Sequence, residues 1–85
     1  MIEECIRNTY DVLTNMQSIE EILEQEPTSM FYGNPLNITF ETIDEMIKFF
    51  EDTEEYEKCM KLVYVKNDLT YEYLTNNLIK DALFK

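Results

Sequence analysis

The residues that break regular structure are confined to one short stretch. Both prolines and the single glycine of this 85-residue chain, Pro27, Gly33 and Pro35, lie within residues 27–35. On either side the backbone meets no Pro or Gly to end a helix. Apolar residues there return every three or four positions, the helix period rather than the alternation of a strand. Together these features predict an all-α fold: one helical domain over residues 1–85, with about four helices. A long N-terminal helix is expected to pack on a shorter helical bundle. The alternative is α+β, with a small sheet from residues 36–40 and 62–74. Leu62, Val63, Tyr64 and Val65 favour a strand, and Asn67-Asp68 suits a hairpin turn.

Ile2, Cys5, Thr9, Val12, Met16, Ile19 and Leu23 form one apolar stripe and predict an amphipathic helix over 2–25. Ser18 and Glu21 have capping-box spacing, so a break near Gln17 is the competing reading. Pro27 closes the segment. Residues 26–37 form the loop. Its Met30, Phe31, Tyr32 and Leu36 are too apolar for a free linker, which predicts that it folds back onto the helices. Thr42 with Glu45, and Asp52 with Glu55, repeat the capping spacing. They predict one helix from Thr42 to about Glu51 and another from about Thr53 to about Lys66, joined as a hairpin. A last helix is expected after Asp68, with Tyr71, Leu74, Leu78, Ile79, Ala82 and Leu83 on its apolar side. Phe31, Phe40, Phe49, Phe50 and Phe84 are core candidates. Tyr32, Tyr64, Tyr71 and Tyr73 are candidates for an interface.

Charge is distributed unevenly along this frame. Residues 1–57 carry fifteen acids against Arg7 and Lys48, and residues 58–85 carry three acids against five lysines. The two parts stand at −13 and +2, or −11 in all. A field of that sign draws cationic partners, speeds their approach and disfavours direct binding of nucleic acid. Apolar content of 45%, with five Phe and six Tyr, is ample for a core.

Histidine is absent, which removes the commonest general base and the commonest metal ligand. The two cysteines cannot build a structural zinc site, and no glycine-rich phosphate loop exists. The sequence therefore points to a non-enzymatic protein with no cofactor and no catalytic or metal site. No apolar run of about 18 residues is present to span a membrane, and the N-terminus is acidic where a signal peptide is basic. A cytoplasmic location is expected, with Cys5 and Cys59 as reduced thiols on apolar stripes.

The densest acidic run, Glu51-Asp52-Thr53-Glu54-Glu55-Tyr56-Glu57, together with Glu41, Asp44 and Glu45, is the candidate surface for binding a basic protein. The residues taken as partner-binding are Glu41, Asp44, Glu45, Glu51, Asp52, Glu54, Glu55, Tyr56 and Glu57. The competing use of the helices is structural. The 2–23 stripe suits a coiled-coil seam with Thr9 as its weak point, and so a self-associating adaptor or homo-oligomer.

Small size, strong acidity and a composition rich in Asn, Ile, Lys, Glu and Tyr give this chain a particular style. In that style it resembles the small acidic early proteins of large lytic phages, a likeness carried by no motif. The resemblance implies a protein that binds and inhibits or redirects a host factor in the host cytoplasm. If that factor binds nucleic acid, the acids would stand in for phosphates as a DNA mimic. A second resemblance rests on carboxylate spacing. Glu20, Glu21 and Glu24, followed after sixteen residues by Glu41 and Asp44, are similar to the pattern of all-α MazG-type nucleotide pyrophosphohydrolases. It implies magnesium held by Glu21, Glu24, Glu41 and Asp44. The chain lacks that family's basic and aromatic residues around the carboxylates.

Overall fold

A computed structural model describes the backbone of residues 2–84 and the side chains of residues 2–74. Among the described residues four α-helices follow in order: α1 Ile2–Leu13, α2 Ile19–Gln25, α3 Phe40–Asp52 and α4 Tyr56–Phe84. No strand occurs among the described residues, so the all-α expectation holds and the sheet at 36–40 and 62–74 does not form.

The predicted 2–25 helix breaks, and hydrogen bonds show how. Asn15 takes a left-handed φ of 60°. Its amide donates to Val12 O at 3.2 Å and the Met16 amide donates to Asp11 O at 2.9 Å. This pair of bonds is the Schellman closure, and Asn is the residue other than Gly that best tolerates its left-handed position. Ser18 then caps α2. Its hydroxyl accepts from the Glu21 amide at 3.1 Å, and the Glu21 carboxylate accepts from the Ser18 amide at 3.2 Å. The reading of a break near Gln17 is therefore the one realised. With the stripe divided, and Ile6, Thr9 and Ile22 buried, residues 2–23 do not present a continuous coiled-coil seam.

Two boundaries differ from expectation. Thr39, not Thr42, caps α3: its hydroxyl accepts from the Thr42 amide at 3.2 Å. Glu41 consequently lies in the first turn, where a carboxylate favours the helix dipole. Asp52 belongs to the end of α3 rather than to a cap of the next helix. The α3–α4 turn repeats the closure at Asn15. Glu54 has φ 62°, its amide donates to Glu51 O at 3.0 Å, and the Glu55 amide donates to Phe50 O at 2.8 Å.

The largest departure is α4. It passes through Asn67-Asp68 without a turn, so the two predicted helices are one helix of 29 residues. Neither Pro nor Gly opposes continuation. Val65 and Leu69, on either side of the pair, pack against the core while Asn67 and Asp68 face solvent. Leu78, Ile79, Ala82, Leu83 and Phe84 lie outside the described side chains.

The core joins three helices: Ile6 and Tyr10 of α1, Ile43, Met46 and Phe50 of α3, and Cys59 and Leu62 of α4. Phe50 meets Tyr10 edge-on with centroids 5.4 Å apart and Phe49 at 5.1 Å. The loop does fold back, held by Thr9. That buried hydroxyl accepts from the Tyr32 amide at 2.7 Å and donates to Tyr32 O at 3.1 Å. Asn8 Nδ2 adds a bond to Met30 O at 3.0 Å. Tyr32 and Ile38 pack on the core, whereas Met30 and Leu36 stay exposed. Gly33 turns at φ +68°, and a Cβ there would lie 3.0 Å from Thr42 Cγ2.

Candidate protein-binding surface

The outer face of α3 gathers acids from one helix on one side. Its core face is Ile43, Met46 and Phe50, all fully buried. Helix geometry then turns Glu41, Asp44, Glu45, Lys48, Glu51 and Asp52 to the opposite side. All six are exposed. Five carboxylates and one ammonium thus share one stripe. Exposed Glu54, Tyr56 and Glu57 carry it over the turn into α4.

These carboxylates are not equivalent. Glu55 is half-buried and committed internally. Arg7 Nη1 donates to its Oε1 at 2.9 Å and Nη2 to its Oε2 at 2.8 Å, while the Thr53 hydroxyl donates to Oε2 at 2.6 Å. The Arg7 bonds, and after them the Thr53 bond, pull the Glu55 carboxyl down to about 2. Arg7 also reaches Glu3 at 3.1 Å and lies over the rings of Phe49 and Phe50, 5.8 and 5.7 Å from their centroids. The only arginine of the chain is thereby a bolt from α1 to the α3–α4 turn. Its planar fork and aromatic stacking are what a lysine could not supply.

Two further acids have partners. Asp44 accepts from Lys66 Nζ at 2.7 Å, tying α3 to α4. Glu45 accepts from the Tyr32 hydroxyl, a bond that raises the phenol's pKa and pins the loop to α3. Glu41, Glu51, Asp52, Glu54 and Glu57 remain as exposed carboxylates, the set best placed to meet cations from outside.

The magnesium site implied by carboxylate spacing does not assemble. Among the described residues no group of three or more His, Cys, Asp or Glu side chains is placed to hold a metal ion. Glu21 is engaged in the α2 cap and Asp44 in the Lys66 pair. Both cysteines are free thiols. Burial pushes the Cys59 thiol's pKa up, and Sγ donates to Ile47 O at 3.4 Å, as suits a packing residue.

Sequence reasoning missed two features. The Arg7–Glu55 pair joins residues 48 positions apart, and no local spacing announces it. The second is an exposed apolar face on α4. Tyr56, Met60, Val63, Tyr64, Tyr71 and Leu74 are all exposed and recur at helical spacing. That stripe was legible once 56–74 was read as a single helix. No helix among the described residues is long and apolar enough to cross a membrane. No protein-family model, no curated protein and no solved structure matches the chain.

Proposed function

We propose that this protein is a non-enzymatic binding module that sets the acidic outer face of α3 and the α3–α4 turn against a basic surface of another protein. The observation that carries this reading is the clustering of Glu41, Asp44, Glu45, Glu51 and Asp52 opposite the buried face of a single helix. Each exposed pair with a partner's lysine contributes little alone, but a set of like charges on one face acts together on association rate. The face is mounted on a packed three-helix core, so its charges are presented without a folding cost at the moment of binding.

The small acidic phage proteins that the chain resembles in composition suggest a host protein as the target and inhibition or modulation as the outcome. A nucleic-acid-binding host factor fits best, with the carboxylates in the place of phosphates in the host cytoplasm. The test is affinity capture from host lysate with mass spectrometry, repeated at rising salt. A basic protein retained at low salt and released as salt rises is the expected result. Its retention should fall in a variant with Glu41, Glu51 and Asp52 changed to Gln, Gln and Asn. A complex indifferent to both salt and that variant refutes the reading.

A further inference from the structure

The α4 helix has two apolar faces, and the core uses one. Cys59 and Leu62 are buried, with Val65 and Leu69 packed beside them. Met60, Val63 and Tyr64 lie on the adjoining face, with exposures of 58%, 42% and 61%. A cleft of about 230 Å³ opens between α3 and α4, lined by Ile47 and Glu51 from one helix and Cys59, Met60, Val63 and Tyr64 from the other. Tyr56, 60% exposed, extends the apolar strip one turn towards the start of α4, and Tyr71, 72% exposed, lies on the same line beyond the exposed Asn67.

We propose that this α3–α4 groove receives an amphipathic helix of a partner protein, apolar on one face and flanked by Lys or Arg. The proposal rests on the acidic-docking reading and adds the form of the partner. Charge complementarity selects the occupant. Glu51 stands in the groove wall. On the far flank of the strip, helical spacing places Glu57, Asp68 and Glu72 with one cation, Lys61. The nearby Lys66 is held by Asp44 at 2.7 Å, and Lys58 lies over the Tyr10 ring at 5.2 Å. An apolar floor with Glu51 on the α3 wall, Lys48 one turn before it, and a net-acidic far flank matches the helix-in-groove mode of recognition, with apolar anchors at three- and four-residue steps and basic residues on the flank that meets the acids. A second copy of this chain fits less well, because it would bring another −11 and the same acidic flank into the groove.

The test uses the full chain and three labelled synthetic peptides, read by fluorescence anisotropy. One is a lysine–leucine peptide with leucines at helical spacing. The second is its scrambled isomer, and the third carries glutamate in place of lysine. The ordered lysine peptide is expected to bind at least about tenfold tighter than its isomer, and the glutamate peptide not to bind. Met60→Ser and Tyr64→Ser change exposed side chains outside the core, and circular dichroism checks that their helix content is kept. Both should erase the preference for the ordered peptide. Glu51→Gln should weaken binding and flatten its dependence on salt.

Equal, salt-sensitive binding of the two lysine peptides overturns the groove while leaving acidic docking intact. A preference that survives both serine variants does the same. Binding of neither lysine peptide overturns both readings. Self-association of the protein that Tyr64→Ser abolishes would give the groove to a second copy and overturn the proposal.

Discussion

At the scale of single residues, Thr9 and Glu55 show how polar groups hold an apolar core in register. The Thr9 hydroxyl is fully buried and bonded to both backbone groups of Tyr32. Thr9→Val keeps the shape and deletes both bonds. The Tyr32 amide would retain only its 3.3 Å contact to Cys5 O. We expect a loss of about 1–2 kcal/mol in denaturant unfolding, and a variant as stable as the parent would show that the clamp is dispensable. Glu55 makes a prediction in pH. Its carboxyl sits at about 2 when folded against an ordinary 4.5, so the folded state favours the ionised form. The stabilisation it brings is complete above pH 4.5 and is lost as pH falls from there through about 2. Glu55→Gln should therefore lower the melting temperature near pH 7, and the gap from the parent should close towards pH 2. A gap that stays constant with pH would mean that Arg7 gains nothing from the charge on its partner.

At the scale of elements, two helix ends use the same closure with residues of unequal fitness. Asn15 tolerates the left-handed position, whereas Glu54, at φ 62°, bears a Cβ clash that glycine would not. Glu54→Gly should therefore raise stability by about 0.5–1 kcal/mol, after subtracting the greater freedom of glycine in the unfolded chain. Thermal unfolding would check it, and a fall in melting temperature would show that the strain is already relieved. The same elements mark what the sequence made legible. Helical periodicity and the confinement of Pro and Gly to residues 27–35 were enough for the all-α class and the α3–α4 hairpin. Ser18 and Glu21 announced the start of α2. The cap of α3 was misread because Thr42 and Glu45 have the capping-box spacing, whereas in the fold the Thr39 hydroxyl, which lacks that spacing, meets the Thr42 amide. Asn67-Asp68 was misread as a turn because local preference favours one there. The packing of Val65 and Leu69 on the core outweighs it. The acidic stripe of α3 followed from periodicity once the helix was fixed. The removal of Glu55 from it by Arg7 is long-range and left no trace in local spacing.

At the scale of the whole molecule, attraction and repulsion compete, and their reach decides which wins at low salt. The Arg7–Glu55 and Lys66–Asp44 pairs act over 2.8 and 2.7 Å, where mobile ions screen them little. Repulsion within a net charge of −11 acts over longer distances, where screening is effective. On α3 alone, Glu41 faces Asp44 and Glu45 three and four positions on, and each such like-charge pair costs about 0.2–0.5 kcal/mol. Raising salt from about 0.01 to 0.1 M shortens the screening length from about 30 to 10 Å. We therefore expect stability to rise by about 1 kcal/mol, or about 4–8 °C in melting temperature for a domain of this size. Glu41→Gln removes both of those α3 pairs but also the carboxylate's favourable place at the start of the α3 dipole, so it should reduce the salt response while leaving the low-salt melting temperature nearly unchanged. A melting temperature that falls with salt would show that short-range pairs dominate and that the acids do not act as one field. The same field links stability to binding. A cationic partner relieves the repulsion that salt relieves, so its stabilising effect adds to ordinary mass action. The rise in melting temperature on adding the ordered lysine peptide should accordingly be larger at low salt than at high salt, and larger in the parent than in Glu41→Gln.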